Sequence, residues 1–183
     1  MNKQHYVELM NCIFPGFFAK EYIRRLPDEC ICDEMILSLN EFDPHLYEKK
    51  MTDSISFGYY RKDPALLKEA VAKVEPNWVQ YYNQTEKVYC GYIDGKIASF
   101  CLITDMGVHT IDNHRLKVGG PGCVGTLPEY RNQGIGLTMI KKVTQILQAE
   151  GYDYSYIHYT GVASWYAKLG YQIILRWNKN GIL

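Results

Sequence analysis

The sequence predicts an α/β protein in which helices pack against a sheet, and three local patterns support that fold class. Ile55, Phe57 and Tyr59 alternate with polar or small residues, as in a half-buried strand. Asp94-Gly95 separates two apolar runs and has the residue types that accept the positive φ angles of a tight hairpin turn. A helical apolar stripe follows further along the chain, at Met139, Ile140, Val143, Ile146 and Leu147.

The N-terminal part of the chain carries weaker patterns than the rest. Apolar spacing over residues 6–13 predicts a first helix. A helix-like pattern continues over residues 17–26, and Pro27 ends it. Residues 35–39 predict a short strand. We therefore interpret residues 1–53 as an N-terminal extension packed on the core and residues 54–183 as the principal domain.

Two prolines mark helix starts in the next segment. Asp63 is a preferred N-cap residue and Pro64 suits the first helical position, so a helix is expected to begin there. Pro76 opens a second, shorter helix in the same way. After the hairpin, we expect a polar loop over residues 104–115 and then a strand that ends near Leu127.

The C-terminal third predicts two further helix–strand pairs. A turn leads into a helix over residues 134–150, which Gly151 ends. A strand over residues 154–159 precedes a second helix, and residues 172–177 form the last strand. The apolar stripe of that second helix consists of Val162, Trp165, Tyr166 and Leu169.

Composition excludes several classes of protein. The 183 residues are 47% hydrophobic and 22% charged, which is typical of a folded globular chain. Twenty basic and twenty acidic residues balance, so we expect neither nucleic acid nor an anionic membrane as a partner. The N-terminus lacks the layout of a signal peptide. The six cysteines form no CxxC pair, which predicts reduced thiols in the cytoplasm and no metal site.

Residues 122–137 combine the end of a strand, a turn and the start of a helix. Gly134 and Gly136 stand where the helix begins and leave the backbone open to close approach. The first amide groups of a helix lack partners within the helix and, with the helix dipole, attract an anion. Arg131 adds a positive charge. The pattern predicts a phosphate-binding turn, although a tight strand-to-helix connection would give the same glycine spacing.

Two common phosphate motifs do not fit this turn. A P-loop would require GxxxxGK[ST], which does not occur here. A dinucleotide-binding turn would require a third glycine where Met139 stands and an acidic residue at the end of the next strand. A different nucleotide ligand remains an alternative, which binding of ATP or NAD would support.

Two motifs resemble those of the GNAT superfamily of N-acetyltransferases. Arg131-Asn-Gln-Gly-Ile-Gly136 is similar to the family's R/Q-x-x-G-x-G/A motif, and Leu127-Pro-Glu-Tyr130 resembles its lead-in. In the following helix, Trp165-Tyr-Ala-Lys-Leu-Gly-Tyr171 resembles the family's aromatic-Tyr-x-K-L-G-aromatic signature. The resemblance covers roughly residues 55–177 and is most specific over residues 122–171.

This resemblance implies a fold and a co-substrate. The implied fold is a central mixed, mostly antiparallel sheet that splays at the cofactor site, with helices on both faces. The implied co-substrate is acetyl-CoA, without a metal, and its pantetheine would pair with the main chain of Val124, Gly125 and Thr126. Its pyrophosphate would lie on the turn made of Arg131, Asn132, Gln133, Gly134, Ile135, Gly136 and Leu137.

The resemblance also implies a general acid. Tyr166 matches the tyrosine that these enzymes commonly place beside the cofactor sulfur, and packing within its apolar stripe is the alternative role. The general base is less defined, because residues 117–127 contain no carboxylate where many family members carry a glutamate.

We choose His158 as the candidate base, since histidine titrates in the useful range and this one lies on a strand beside the expected splay. Strand alternation places it on the same face as Tyr154 and Tyr156. A structural histidine is the alternative. Second choices for the base are His109, Asp112 and His114.

Two departures from the family pattern concern the C-terminal part. Where the family often has an asparagine that contacts pantetheine, this chain has Tyr159-Thr160-Gly161, so Thr160 or a backbone group is expected to substitute. The usual last strand is missing or reduced to residues 180–183. Residues 1–53 or a second subunit would then cover that edge, which makes a homodimer one expectation.

The sequence thus predicts an N-acetyltransferase that uses acetyl-CoA and a small-molecule primary amine in a ternary complex. Residues 1–53, the helices over 64–82 and the segment 104–115 are expected to set the choice of acceptor, which the sequence does not identify. Five aromatic residues suit either a pocket wall or the core: Trp78, Tyr81, Tyr82, Tyr156 and Trp165. The alternative function is a non-catalytic acyl-CoA-binding module, which would need neither Tyr166 nor a base.

Overall fold

The computed structural model describes residues 1–83 and 87–183. Their α-helices are α1 (Lys3–Ile13), α2 (Glu21–Arg24), α3 (Pro64–Ala72), α4 (Ile135–Ala149) and α5 (Ala163–Tyr166). Their strands are β1 (Cys32–Ser38), β2 (Ile55–Tyr59), β3 (Val88–Ile93), β4 (Lys96–Ile111), β5 (His114–Thr126), β6 (Tyr154–Thr160), β7 (Gln172–Asn178) and β8 (Gly181–Ile182). Short 3-10 helices cover Phe17–Ala19, Pro44–Leu46, Pro76–Tyr81, Pro128–Tyr130 and Ala167–Leu169.

The strands form a mixed sheet, as predicted. They are hydrogen-bonded in the order β2-β3-β4-β5-β6-β1-β7-β8. The β2–β3, β3–β4, β1–β6, β1–β7 and β7–β8 pairs are antiparallel, whereas β5 and β6 are parallel. The recorded β5–β6 pairs are Val118 with Tyr154 and Gly119 with Ser155.

The chain divides into two compact units. The first consists of residues 1–43, 105–120 and 147–183, and the second of residues 44–104 and 121–146. In the first unit, Leu9 and Tyr156 belong to one buried cluster, and Phe17 and Trp177 belong to another. In the second unit, the buried cluster is made of Tyr60, Leu67, Val71, Tyr82, Val88, Cys90, Tyr92 and Phe100.

Local signals predicted the helix starts and the first hairpin correctly. The Asp63 carboxylate accepts a hydrogen bond from the Ala65 amide at 2.9 Å, and Pro64 occupies the first turn of α3. Asp94 and Gly95 have φ angles of 48° and 76°, as the tight hairpin turn requires. Gly151, just past α4, has φ of 72°.

The prediction of a polar loop over residues 104–115 is wrong. β4 continues to Ile111, and β5 begins at His114, so the segment is the end of a second hairpin. Asp112 and Asn113 have φ angles of 50° and 61° and make its turn. Most residues of this segment are polar, so it lacks the alternation of apolar and polar residues that identifies a strand.

Two helix predictions need correction. The pattern over residues 17–26 is not one helix, because a 3-10 turn (Phe17–Ala19) is followed by the single-turn α2. The second C-terminal helix is also shorter than predicted and ends as a 3-10 turn (Ala167–Leu169). Val162 lies outside its buried stripe, with 56% of its surface exposed.

β1, which belongs to residues 1–53, lies between β6 and β7 and pairs with both. The reduced last strand is present as the two-residue β8, which pairs with Trp177 and Asn178 at the end of β7. Part of the N-terminal segment therefore takes an interior position in the sheet. A homodimer remains a prediction.

All six cysteines are free, and Cys90, Cys101 and Cys123 lie in strands. No helix within residues 1–83 and 87–183 is long and apolar enough to cross a membrane. The cytoplasmic location remains a prediction.

Candidate active site

The predicted phosphate-binding turn forms a compact, hydrogen-bonded connection in the second unit. β5 ends at Thr126, and the Leu127 amide donates to the Ala98 carbonyl at 2.9 Å. The Tyr130 amide then donates to the Leu127 carbonyl at 2.9 Å and closes a 3-10 turn. These bonds hold the start of the turn against β4, so that its remaining residues lead directly into α4.

Two residues with positive φ turn the chain into α4. Asn132 has φ of 62° and Gly134 has φ of 80°. The first helical hydrogen bond runs from the Thr138 amide to the Gly134 carbonyl at 3.0 Å. The amides of the first turn of α4 therefore lack intrahelical acceptors, as at every helix start, and they carry the positive end of the helix dipole.

Gly134 also lies in a close contact that only glycine permits. A Cβ at this position would overlap with Cδ of Lys49 and would lie 2.7 Å from the Tyr47 hydroxyl. Both neighbours come from the segment before β2, in the same unit. The absence of a side chain at Gly134 thus lets the Lys49 side chain and the Tyr47 hydroxyl lie directly beside its backbone.

Arg131 both ties the turn together and faces solvent. Its Nε donates to the Thr126 carbonyl at 3.1 Å, and the residue is exposed. Gln133 makes a second bond inside the turn, from its side-chain amide to the Glu129 carbonyl at 3.3 Å. The Arg131 guanidinium has further donors beyond Nε, so it can pair with an anion while it holds the turn.

The predicted pantetheine strand has a distortion directly before it. Cys123 has φ of 46°, which is rare for a non-glycine residue in a strand. The buried Tyr82 donates its hydroxyl hydrogen bond to the Cys123 carbonyl at 2.6 Å. Gly125 packs so closely on the Phe100 ring that a Cβ would overlap with it. These contacts fix the backbone of Val124, Gly125 and Thr126.

Two glycines before this strand, Gly119 and Gly120, lie at a close backbone approach. In the first unit, a Cβ at Gly120 would overlap with the Tyr156 carbonyl oxygen, and one at Gly119 would lie 2.8 Å from the Tyr152 ring. Both glycines lie within β5, which runs from His114 to Thr126.

Tyr166 is a buried member of an aromatic group in the first unit. It is 6% exposed, and its ring contacts Trp165 with centroids 4.8 Å apart and Tyr171 at 5.9 Å. Tyr171 in turn shares a 2.6 Å hydrogen bond with the Ser155 hydroxyl. The packing predicted for the stripe is therefore present at Tyr166, and its role as general acid remains a prediction.

His158 is paired with a carboxylate that the sequence analysis did not single out. Glu34, on β1, has no exposed surface, and its carboxylate lies 2.9 Å from Nδ1 of His158. The same carboxylate accepts hydrogen bonds from Trp177 Nε1 at 2.7 Å and from the Tyr159 amide at 3.2 Å. Because a carboxylate only accepts, Nδ1 of His158 carries a hydrogen, and in the neutral imidazole Nε2 then holds the lone pair.

A β-bulge explains why Glu34 and His158 meet. Asp33 pairs with Thr160 and Met35 pairs with Ile157, so His158 and Tyr159 together face Glu34. Tyr159 has φ of 54°, and its amide is satisfied by the Glu34 side chain. The simple alternation predicted for this strand is thus interrupted at His158.

Aromatic rings from the N-terminal segment enclose His158. The Phe14 ring stacks on the imidazole with centroids 3.7 Å apart, and Phe17 contacts it edge-on at 4.6 Å. The side chain is 20% exposed. Tyr156, nearby on β6, has a pKa raised by burial and, to a lesser extent, by the Glu34 carboxylate. His158 and Tyr166 therefore belong to separate aromatic groups.

The second-choice bases lie around the second hairpin. Asp112 is in its turn, His114 begins β5, and both are exposed. His109 makes a local 2.7 Å hydrogen bond through Nε2 to the Met106 carbonyl. Thr160, expected to replace the family's asparagine, uses its hydroxyl to accept from the Val162 amide at 3.1 Å.

Most aromatic residues considered for the acceptor pocket belong to the core. Tyr82 and Tyr156 are fully buried, and Trp78 packs on the core cluster of the second unit. Tyr81 is 56% exposed. Within the described residues, no group of three or more His, Cys, Asp or Glu side chains is placed to hold a metal ion.

Two residues beside the candidate site residues were not identified from the sequence. Glu34 follows Asp33 at the start of β1, and the sequence shows neither which of the two acids is buried nor what its partner is. Lys49 lies in an irregular polar segment and gave no signal.

The fold and the turn together define the class. A mixed sheet whose strand β5 leads through a glycine-containing turn into α4 is the arrangement of GNAT-type acyltransferases. Residues 54–174 match the family model described as an acetyltransferase (GNAT) domain. The chain belongs to this family.

Solved structures show the same fold. A GCN5-related glucosamine N-acetyltransferase region of a fungal multi-domain GH3 β-N-acetylglucosaminidase is 19% identical, with a TM-score of 0.65 over 82% of this chain and 20% of its own. A GCN5-related N-acetyltransferase from Sphaerobacter thermophilus is 17% identical, with a TM-score of 0.58 over 80% of this chain and 49% of its own.

A putative acetyltransferase of the GNAT family from Novosphingobium aromaticivorans is 22% identical, with a TM-score of 0.53 over 78% of this chain and 59% of its own. The chain thus spans between a fifth and about three fifths of the length of these structures. No curated protein matches the sequence.

Proposed function

We propose that this protein transfers the acetyl group of acetyl-CoA to a primary amine of a small-molecule acceptor, by direct attack within a ternary complex. Membership of the GNAT family supports acetyl transfer in general. The observation that carries the choice of acetyl-CoA is the turn before α4, where Gly134 leaves the backbone bare and Arg131 stands exposed.

The residues of the second unit fit a nucleotide pyrophosphate. The free amides of the first turn of α4 and the Arg131 guanidinium would bind its oxygens. The main chain of Val124, Gly125 and Thr126 would bind the pantetheine amides, as an added strand does. The bound co-substrate supplies an activated acetyl thioester, and main-chain amides of the same strand are candidates to stabilise the oxyanion.

The acceptor amine must lose a proton before it attacks. A lysine-like amine has a pKa of about 10.4, so only about one in a thousand is neutral near pH 7.4. His158 is our candidate for the group that removes this proton. The hydrogen bond from Nδ1 to Glu34 holds the imidazole in the form whose Nε2 can accept a proton. Glu34 is thus a positioning residue.

The leaving thiolate needs a proton, and Tyr166 is our candidate for its donor. Its phenol is held by packing against Trp165 and Tyr171, which restricts its orientation. A tyrosine hydroxyl is a suitable acid, because it is protonated near neutral pH at its ordinary pKa.

Calorimetric titration with acetyl-CoA tests the proposal, with ATP and NAD as controls. Near-stoichiometric micromolar binding of acetyl-CoA alone is the expected result. A screen of amines by thiol release then follows, and it includes glucosamine, because a fungal structural relative is named for that substrate. A folded sample that binds ATP or NAD but not acetyl-CoA would contradict the proposal. Binding without turnover on any amine would favour a non-catalytic acyl-CoA module.

A further inference from the structure

A short segment between β1 and β2 lies across the phosphate-binding turn within the second unit. We name residues 47–50 the strap. The Lys141 ammonium, on α4, donates to the Tyr47 carbonyl at 2.9 Å and ties the strap to the helix. Gly134 directly precedes α4 and Lys141 lies about two turns further along, so this anchor holds the strap beside the first part of the helix.

The strap brings a lysine side chain over Gly134. Cε of Lys49 lies 3.1 Å from the position that a Cβ of Gly134 would occupy, and the Tyr47 hydroxyl lies 2.7 Å from the same position. The ammonium of Lys49 is one bond beyond Cε, so it lies within about 5 Å of the same position. Both groups are hydrogen-bond donors, as a phosphate ligand requires.

The ammonium of Lys49 has no compensating charge within residues 1–83 and 87–183. No hydrogen bond or ion pair is recorded for it, whereas neighbouring Glu48 is paired with His45 at 2.7 Å. Lys141 is hydrogen-bonded to the Tyr47 carbonyl of the strap, and Lys142 lies over the Phe57 ring at 5.5 Å. Lys49 is thus a cation that, like Arg131, remains available to an anion at the turn.

A lysine at a helix N-terminus is unfavourable by itself. The helix dipole is positive there, so an ammonium is repelled unless an anion shares the site. Here Lys49 and Arg131 both lie beside the turn that leads into α4. This concentration of positive charge suits a ligand that carries more than one negative charge, such as a pyrophosphate.

We infer that Lys49 is a phosphate-binding residue of the acetyl-CoA site, which contacts the pyrophosphate with the Tyr47 hydroxyl beside it. This inference rests on the proposed function. It extends the site beyond the motif residues 131–137 to a segment outside the matched family domain, which begins at residue 54.

The test measures the affinity of the full chain for acetyl-CoA by calorimetry. Lys49→Met, which keeps the length of the side chain and removes its charge, should weaken binding about tenfold. Lys50→Met is the matched control, because Lys50 is exposed and has no recorded contact at Gly134; its affinity should stay within about twofold of the wild type. Lys49→Arg should retain most of the affinity, since the charge remains.

Acetyl-dephospho-CoA separates the pyrophosphate from the 3′-phosphate. Lys49→Met should lose affinity for this analogue by the same factor as for acetyl-CoA, because the analogue keeps the pyrophosphate. A loss seen only with intact acetyl-CoA would overturn the pyrophosphate contact. Equal affinities of Lys49→Met and wild type, or an equal loss in Lys49→Arg, would overturn the role of Lys49 while the proposed function stands. No binding to the folded wild type would instead refute the proposed function.

Discussion

The Glu34 carboxylate accepts a hydrogen bond from Nδ1 of His158 at 2.9 Å, inside a site where Glu34 has no exposed surface. Two further donors, from Trp177 and the Tyr159 amide, complete the environment of this carboxylate. Burial of a carboxylate is costly unless such partners surround it. The pair therefore connects the stability of β1, β6 and β7 with the orientation of the candidate base.

Glu34→Gln should impair both stability and turnover. The glutamine side-chain nitrogen is a hydrogen-bond donor, and the groups around position 34 are donors too. The donors left unpaired should cost about 2–4 kcal/mol in the free energy of unfolding. The glutamine nitrogen would also donate to Nδ1 of His158 and so shift the histidine proton to Nε2, which removes the proton-accepting nitrogen. We expect turnover to fall about a hundredfold, with acetyl-CoA affinity little changed.

The matched control for Glu34 is its neighbour Asp33, which pairs with the half-exposed Arg176 at 2.8 Å. Asp33→Asn should cost less than about 1 kcal/mol in unfolding free energy and leave turnover unchanged. Urea unfolding and steady-state rates between pH 6 and about 9 measure both effects. Normal turnover in a folded Glu34→Gln protein would show that the pair is structural only.

Tyr166→Phe should lower turnover by about tenfold to a hundredfold and leave acetyl-CoA affinity almost unchanged. The ring contacts with Trp165 and Tyr171 are retained by phenylalanine, so the melting temperature should move little. Stopped-assay rates, calorimetry and thermal unfolding separate these effects. An unchanged rate would assign Tyr166 to the core alone.

Gly134→Val should weaken acetyl-CoA binding at least about tenfold, because the new side chain fills the space bordered by Lys49 and Tyr47. Gly151→Val is the control for backbone strain, since Gly151 has a similar φ of 72° with open space around it. Both variants should lose stability, and only Gly134→Val should lose affinity, as measured by calorimetry. Equal affinities would remove the turn from the binding site.

Cys90 should make the fold sensitive to alkaline pH. Burial raises the pKa of its thiol to about 12 from the ordinary value of 9.0. The folded state keeps a proton that the unfolded chain loses, so this contribution is complete below pH 9 and falls as pH rises toward about 12. The slope for one such group is about 1.4 kcal/mol per pH unit.

Above pH 9, the unfolding free energy of Cys90→Ser should therefore fall less steeply with pH than that of the wild type, whatever its value at neutral pH. Urea unfolding at several pH values between about 8 and 10.5 measures this slope. Identical slopes for the two proteins would contradict the shift assigned to Cys90. Other groups with raised pKa values, such as Cys123 at about 11, contribute equally to both proteins.

Features controlled by neighbouring residues were predicted well. Asp63-Pro64 marked the start of α3, and Asp94-Gly95 marked the first hairpin. The second hairpin was missed, because Asp112-Asn113 lacks glycine and the flanking strands are mostly polar. Its strands are held by pairing with the rest of the sheet, which no local pattern displays.

In the candidate site too, the features made by neighbouring residues were predicted, and those made by distant residues were not. The turn over residues 131–137 was predicted from the sequence, since glycines and a helix start act within one short segment, and its ligand remains a proposal. Glu34 was missed, because its partner His158 is far along the chain and is brought to it by a bulge. The strap was missed for the same reason, since only packing brings Lys49 to Gly134.

By itself, the sequence determined the α/β class, the turn that begins α4 and the family resemblance, because these depend on steric and hydrogen-bonding preferences over a few residues. The tertiary structure alone decided that β1 enters the sheet between β6 and β7 and that Glu34 is buried against His158. It also decided that Lys49 covers Gly134. Those relationships depend on burial and strand pairing between distant segments, whose energies are set by the assembled core rather than by any local pattern.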